Sequence, residues 1–205
     1  MKAKLFITAM FIAVVSVHLS AQVGSADVAS TSSFVPDEKP CRWWQRPHCQ
    51  VESFPELAPR TGVVIGVDTT HNIAYLWKDG ELLAMAPAST GMDTTLRRGL
   101  RQWLFRTPRG RHKVMRKIID PVWVKPDWAF IEEGKPVPPP DSPDRKVKGY
   151  LGKYALDLGD RILIHGTKDT RLLGRKASHG CIRVGKEMLE LMYEKADVGT
   201  EVHIF

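Results

Sequence analysis

The stretch ILIHGTKDTRLLGRKASHGCIRV, residues 162–184, contains the residues that indicate both the fold and the chemistry of this chain. It opens with a short apolar run typical of a β-strand, which ends at His165 beside a glycine. Cys181 follows sixteen positions later, directly after Gly180. We predict that His165 ends a strand neighbouring the segment of Cys181, so that an imidazole and a thiol come close together.

A cysteine beside a histidine is a recurrent catalytic arrangement. The thiolate is the nucleophile, whereas a free thiol is mostly protonated at neutral pH. A histidine within hydrogen-bond reach can take that proton and pass it to a leaving amine. His165 is one candidate, and His179 shares the face of Cys181 if its segment is extended. Gly180 permits close approach of a substrate, whose oxyanion the N–H groups of Gly180 and Cys181 would stabilise.

Spacing alone leaves three other interpretations of these residues open. A lone buried cysteine is usually a small core hydrophobe. Lone histidines are usually structural. Together, His165, His179 and Cys181 would also suit a zinc ion with one open coordination position.

The remaining pattern from residue 61 onward predicts a mainly β domain, either a sandwich or a barrel. Asp79-Gly80 is a strong hairpin signal between two apolar runs. One segment, 186–196, has apolar residues at helical spacing. The segment 125–149 is long, polar and proline-rich, which indicates a lid, a binding loop or a disordered insertion. The predicted strands are 62–68, 73–77, 82–86, 111–119, 154–158, 161–164 and 198–205.

Composition is that of a soluble globular protein with a basic surface. The chain has 205 residues, 43% of them hydrophobic and 26% charged, and a net charge of +7. A positive balance favours anionic partners, including wall polymers that carry carboxylates. No compact basic run is interleaved with aromatic residues, so a nucleic-acid partner is not predicted.

The first residues have the order of a secretory signal peptide. Two lysines precede the apolar stretch 5–19, and small residues follow it at 20–30. We predict a signal at 1–26, cleaved after Ala21 or Ala26, with a retained anchor as the alternative. We expect a secreted protein with no stable membrane anchor after cleavage.

Secretion changes how the three cysteines are interpreted. Residues 27–60 form a polar, proline-rich linker or arm, in which Cys41 and Cys49 lie eight positions apart. An oxidising compartment makes a Cys41–Cys49 disulfide the simplest pairing, with a metal site that includes His48 as the alternative. That pairing leaves Cys181 as a free thiol, which is uncommon in a secreted protein.

The motif around Cys181 resembles the signature of a known enzyme family. The run SHGCIR, with His-Gly-Thr at 165–167 and Leu-Gly-Arg at 173–175 upstream, is similar to the signature of the L,D-transpeptidase family with its YkuD-type catalytic domain. The similarity covers about 61–205. It includes the hairpin at 64–81, the turn PASTG at 87–91, the segment TPRG at 107–110, and the segments 123–128 and 149–158.

The resemblance implies a mainly β, sandwich-like fold with one clear helix after the motif. It implies that Cys181 is the nucleophile and that His165 is its base, oriented by a backbone carbonyl such as that of Gly166. Arg183 would hold a substrate carboxylate with its planar fork, or else form a structural ion pair. The residues implied to surround the substrate are Gly166, Ser178, His179, Gly180 and Arg183.

The same resemblance implies a reaction on peptidoglycan in the periplasm or cell envelope, with no cofactor and no metal. Cys181 would form a thioester with one stem peptide and release D-alanine, and the amine of a second would complete a 3–3 cross-link. Hydrolysis to an L,D-carboxypeptidase product, attachment or release of a wall lipoprotein, and a non-catalytic wall-binding role are the alternatives. Acylation of Cys181 by carbapenems is expected as well.

This chain departs from the family pattern at residues 92–106, which are longer and more basic than the usual short loop there. The arginines of that insertion could contact an anionic partner. Trp103 and Phe105 could face substrate or pack internally. The insertion therefore leaves the substrate and the acceptor open.

Overall fold

A computed structural model of the protein describes residues 61–205, and these confirm the prediction of a mainly β domain. The predicted signal peptide, the arm at 27–60 and the proposed Cys41–Cys49 disulfide lie outside the described residues. Among residues 61–205, no helix has the length and apolar character needed to cross a membrane.

Fourteen strands and two α-helices follow one another in the described part of the chain. The helices are α1 (Asp127–Glu132) and α2 (Lys186–Lys195). The strands are β1 (Val63–Asp68), β2 (Ile73–Lys78), β3 (Glu81–Gly91), β4 (Thr94–Arg98), β5 (Arg101–Phe105), β6 (Gly110–Lys113), β7 (Arg116–Ile119), β8 (Val122–Val124), β9 (Lys146–Lys148), β10 (Tyr154–Asp157), β11 (Leu163–Gly166), β12 (Lys176–Ser178), β13 (Ile182–Val184) and β14 (Glu201–Ile204).

The main sheet has ten strands in the order β6-β14-β1-β2-β3-β13-β11-β10-β7, with β12 added beside β3. β1 runs parallel to β14, β11 runs parallel to β13, and β12 runs parallel to β3, whereas the other pairs are antiparallel. The two ends of this order, β6 and β7, are separated in the chain by two residues only, Val114 and Met115. The sheet must therefore curl until its two ends meet.

The core lies inside this curled sheet. Its side chains come from the inward face of the strands and from α2, which contributes Met188, Leu189 and Met192. These three positions repeat at helical spacing, so the predicted apolar face of the segment 186–196 is confirmed as core packing. Ile164 and Ile182, which flank the predicted catalytic residues in sequence, are both fully buried in this core.

The prediction of a single strand over 111–119 is wrong. The chain forms β6 and β7 there, at opposite ends of the sheet, with buried Val114 between them. The Val114 N–H donates to Thr200 beside β14, and the Met115 N–H donates to Asp157 of β10. Alternation along the run was compatible with one strand, but the closure of the sheet requires the chain to change partners at this point.

The basic insertion at 92–106 forms a hairpin of β4 and β5, which we call the insertion hairpin. Its turn is Gly99-Leu100, between the paired residues Arg98 and Arg101. Gly99 has φ +58°, the conformation that a type II′ turn requires at its first central position. A Gly-X dipeptide between two five-residue runs was a turn signal that sequence analysis missed.

The segment 125–149 contains regular structure, which contradicts the alternative of a disordered insertion. It contains α1 and β9, which pairs with β8. Buried Arg145 organises it, donating to the carbonyls of Lys125, Pro138 and Pro139 and to the carboxylate of Asp127. Proline has no backbone N–H, but its carbonyl can still accept a hydrogen bond. The proline-rich run takes part in this network through the carbonyls of Pro138 and Pro139.

Candidate active site

A row of side chains crosses the outward face of the sheet and contains the predicted base. In the strand register, Ala155 lies opposite His165, His165 opposite Arg183, and Arg183 opposite Ser89. Directly opposed residues share a face, and the alternate residues Ile164 and Ile182 point into the core. His165 and Arg183 therefore project together on the face away from the core.

His165 is buried, with 3% of its surface exposed. Its Nδ1 lies 2.7 Å from the carbonyl oxygen of Gly166, which accepts a hydrogen bond only if Nδ1 carries the proton. Burial lowers the pKa of His165 to about 4, and the positive charge of Arg183 acts in the same direction. At neutral pH the ring is therefore uncharged, with Nε2 as its acceptor atom.

Cys181 lies one residue before β13 and is half-buried. Its thiol lies 3.6 Å from the carbonyl oxygen of Arg161. Burial raises the pKa of the Cys181 thiol, although the N–H of Leu163 and the charge of Arg183 act to lower it. These environments therefore favour a neutral Cys181 thiol and a neutral His165 imidazole at rest.

The backbone around the thiol is held in an unusual conformation. Asp160 and Arg161 both have positive φ, +47° and +64°, and they follow Gly159 at +84°. Such angles are costly for residues with a Cβ and persist where the surrounding structure enforces them. The carbonyl that faces the Cys181 thiol comes from this constrained turn.

Residues 178–181, which we call the nucleophile loop after the role predicted for Cys181, are closed by a buried hydroxyl. The N–H of Gly180 donates to Ser178 Oγ at 3.1 Å, and that hydroxyl donates to the carbonyl of Cys181 at 2.5 Å. Gly180 has φ +132°, and a Cβ there would lie 3.2 Å from the carbonyl oxygen of Arg106. The backbone conformation therefore favours a glycine, and a Cβ would also force the Arg106 carbonyl to shift by a few tenths of an ångström.

Thr107 supports the nucleophile loop from the opposite side. Its buried hydroxyl accepts the N–H of Gly91 at 2.9 Å and donates to the carbonyl of Gly180 at 2.8 Å. Two of the segments that resemble the family, PASTG at 87–91 and TPRG at 107–110, meet the motif at this hydroxyl.

His179, the second histidine of the region, contacts other segments. Its Nε2 lies 2.8 Å from Glu132 Oε2, and its ring stacks on Trp128 at 3.9 Å between centroids. Phe105 meets the same ring edge-on at 4.5 Å. Burial lowers the pKa of His179, which the charge of Glu132 counteracts. One ring nitrogen is thus engaged by a carboxylate.

Arg183 is half-buried and its Nη1 donates to the carbonyl of Ala177 at 3.3 Å. Within residues 61–205 it has no ion-pair partner. Opposite it on β3, Ser89 is fully buried, and its Oγ has no hydrogen-bond partner among the described residues. Arg183 therefore forms no direct ion pair within residues 61–205, although the pKa of Asp169 is lowered by its hydrogen bond to Arg171 and, to a smaller extent, by the charge of Arg183.

The structure brings His165, Arg183 and the nucleophile loop to one region, and Gly166 lies beside His165. No three side chains of His, Cys, Asp or Glu gather into a potential metal site within residues 61–205. Sequence analysis missed Thr107, Trp128 and Glu132. The TPRG resemblance was a signal for Thr107, whereas Glu132 lies in a polar segment with nothing to distinguish it from its neighbours.

Comparison with known proteins identifies the family. The model of the L,D-transpeptidase catalytic domain, YkuD, matches residues 62–204. The chain belongs to the L,D-transpeptidase family. The match covers nearly all of the residues that the structure of this L,D-transpeptidase family member describes.

Curated relatives and solved structures agree with this membership. YbiS of Escherichia coli, a probable L,D-transpeptidase, is 31% identical over 157 residues, which are 70% of this chain and 50% of YbiS. The chain spans about half the length of that relative. The L,D-transpeptidase structure from Xylanimonas cellulosilytica has a TM-score of 0.53 at 21% identity. The aligned part is 72% of this chain and 63% of the Xylanimonas chain. The L,D-transpeptidase from Stackebrandtia nassauensis has a TM-score of 0.52 at 21% identity, with 76% and 61% covered. At such identity these structures show the shared fold.

Proposed function

We propose that this protein is a cysteine acyltransferase that forms 3–3 cross-links between peptidoglycan stem peptides, with Cys181 as nucleophile and His165 as general base. The observation that supports it most directly is the hydrogen bond between His165 Nδ1 and the Gly166 carbonyl. That bond fixes the tautomer and leaves Nε2 able to accept a proton, which is what a base needs.

The first half of the reaction is acylation. Cys181 Sγ attacks the carbonyl carbon of diaminopimelate in the donor stem peptide while His165 Nε2 takes the thiol proton. The carbon–nitrogen bond to the terminal D-alanine then breaks, and the proton passes from Nε2 to the leaving amine. A thioester and free D-alanine result. The Cys181 N–H is the donor that we assign to the intermediate oxyanion, because the Gly180 N–H already donates to Ser178 Oγ.

The second half transfers the acyl group to an acceptor. The side-chain amine of a second stem peptide attacks the thioester carbonyl and loses a proton to His165 Nε2. The carbon–sulfur bond breaks and Cys181 recovers its proton. With water in place of the amine, the same steps give an L,D-carboxypeptidase product, and with a protein amine they attach a lipoprotein.

Arg183 is the group that we assign to a substrate carboxylate. Its guanidinium is always charged and offers a planar fork to an anionic group. It lies beside His165 in the register and has no ion-pair partner within residues 61–205. Ser178, His179 and Gly180 shape the same site through the nucleophile loop. Such substrates, together with the signal-like residues 1–26, fit action outside the cytoplasmic membrane, in the periplasm or cell envelope.

Intact mass spectrometry with purified disaccharide-tetrapeptide tests this proposal. Wild-type protein should gain the mass of the donor without D-alanine and release a 3–3 cross-linked dimer, whereas Cys181→Ala should do neither. Release of tripeptide without dimer would favour the carboxypeptidase. Absence of both adduct and product from the wild-type protein would contradict acyl transfer and leave a wall-binding role.

A further inference from the structure

His179 belongs to the nucleophile loop, yet three side chains that contact its ring belong to segments distant in the chain. Phe105 comes from the insertion hairpin, while Trp128 and Glu132 come from α1. This imidazole therefore joins the loop that holds the thiol to the insertion hairpin and to α1.

Glu132 makes the polar contact of this group. Its Oε2 lies 2.8 Å from His179 Nε2, with 34% of the Glu132 side chain and 22% of the His179 side chain exposed. Trp128 is four residues earlier on α1, so both side chains leave the same helix face. The carboxylate fixes the position of the ring edge, and the indole, stacked at an interplanar angle of 17°, fixes its plane.

The helix that presents Glu132 is itself anchored. Asp127, the first residue of α1, accepts from buried Arg145 and from Arg101 of the insertion hairpin, both at 2.7 Å. Phe105 also packs edge-on against Trp128, at 5.2 Å between centroids. Glu132 therefore extends from a fixed support. The backbone of the nucleophile loop is held at Gly180 by Ser178 and Thr107, and the His179 contact adds a side-chain attachment to α1.

We propose that Glu132 is a positioning residue that holds the nucleophile loop in its reactive conformation by accepting a hydrogen bond from His179. It touches neither the substrate nor Cys181 and acts through the imidazole. The inference uses the proposed function only in taking Cys181 as the reacting group. Its effect on the thiol can be measured without any peptidoglycan substrate.

The test compares Glu132→Gln with Glu132→Ala in the otherwise unchanged protein. Glutamine keeps an oxygen that can accept from Nε2, while alanine removes it. In Glu132→Ala we expect the loosened loop to expose the thiol to water, so that iodoacetamide alkylates Cys181 at least about threefold faster near neutral pH. We expect kcat for cross-linking to fall about tenfold with little change in KM, because the thiol no longer keeps its geometry. Glu132→Gln should restore both values to near wild type.

Glu133→Ala is the matched control, since the adjacent carboxylate pairs with Lys125 and Lys135 and not with the nucleophile loop. It should leave alkylation and kcat unchanged, and the thermal midpoints of the two Glu132 variants should stay near that of the wild type. Rates in Glu132→Ala within twofold of wild type, or equal impairment in glutamine and alanine variants, would overturn the proposal. If the wild type shows no turnover, the proposed reaction fails, and the alkylation rates alone still decide the role of Glu132.

Discussion

The hydroxyl of Thr107 donates to the carbonyl of Gly180 at 2.8 Å while it accepts the N–H of Gly91. One buried side chain thus satisfies two backbone groups, one at the end of β3 and one in the nucleophile loop. Buried backbone groups are costly to leave unpaired, so this hydroxyl stabilises the fold and the position of the loop at once.

Replacement of Thr107 by valine should lower the stability of the fold and disturb the position of the nucleophile loop. Valine keeps the shape of threonine but leaves the Gly91 N–H and the Gly180 carbonyl unpaired, which should lower the free energy of unfolding by about 1–3 kcal/mol. Denaturant unfolding and the rate of cross-linking would measure the two effects. Thr107→Ser should recover most of both, and Thr94→Val, at an exposed strand position, should change neither. Wild-type stability and turnover in Thr107→Val would show that water replaces the hydroxyl.

Gly91 should not tolerate alanine. A Cβ at this position would lie 2.6 Å from the backbone nitrogen of Thr107 and 2.8 Å from Arg106 backbone atoms, so the chain itself must move. We expect Gly91→Ala to lower the free energy of unfolding by about 1–3 kcal/mol and to reduce turnover, because Thr107 is displaced from Gly180.

Gly185→Ala is the control for the Gly91 substitution. Its new Cβ would lie 3.8 Å from Leu173 Cδ1, an ordinary contact, and Gly185 precedes α2 with φ −65°. Chemical denaturation should give a loss below about 1 kcal/mol for that variant. A Gly91→Ala protein as stable as Gly185→Ala would mean that β3 and the Thr107 segment can separate without cost.

The reactivity of Cys181 should rise with pH over a range above neutral. Burial raises the pKa of the thiol, so the thiolate fraction is small at pH 7 and grows as the pH approaches that pKa. Because the charge of Arg183 acts to lower that pKa, Arg183→Gln should shift the alkylation profile to higher pH. Stopped-time iodoacetamide labelling between pH 6 and pH 10 would measure it. A profile that is flat from pH 6 upward would instead indicate a thiolate already present at neutral pH.

Local signals in the sequence were enough for much of the fold. Asp79-Gly80 predicted the β2–β3 hairpin, and the apolar spacing around Met188 predicted α2. The break at Val114 was not predictable in this way, because it depends on which distant strands β6 and β7 pair with. Arg145 likewise looks like a surface arginine in sequence, and only its folded neighbours give it five hydrogen bonds.

In the candidate site, too, contacts between neighbouring residues could be predicted from the sequence, whereas contacts between distant segments could not. The contact of His165 with Gly166 lies between adjacent residues, and the family resemblance implied a backbone carbonyl such as this one as the partner of His165. The expectation that His179 shares the face of Cys181 was based only on the alternation of side chains along an extended segment. It did not address which distant residues contact the ring. The contact of His179 with Glu132 spans 47 positions and depends on how α1 packs, so no local pattern could have predicted it.

Acid should destabilise the fold through His165. Burial lowers its pKa from 6.5 to about 4, so between these values the unfolded chain binds a proton that the native chain does not. The free energy of unfolding is therefore not reduced by His165 above pH 6.5. It decreases as the pH falls below 6.5, and the decrease reaches its full size near pH 4. The shift corresponds to about 3 kcal/mol at most.

Urea unfolding of the wild type and His165→Gln between pH 7.5 and pH 4 would measure this contribution. Glutamine does not titrate, so the difference in unfolding free energy between the two proteins should shrink by up to about 3 kcal/mol over this range. Carboxylates such as Asp127, whose pKa is lowered by Arg145, are present in both proteins. Their contribution to the pH dependence is therefore removed when the two unfolding free energies are subtracted. Parallel pH profiles for the two proteins, or a His165 ring proton resonance that titrates near pH 6.5, would show that the imidazole is solvated and would remove the reason for its neutral resting state.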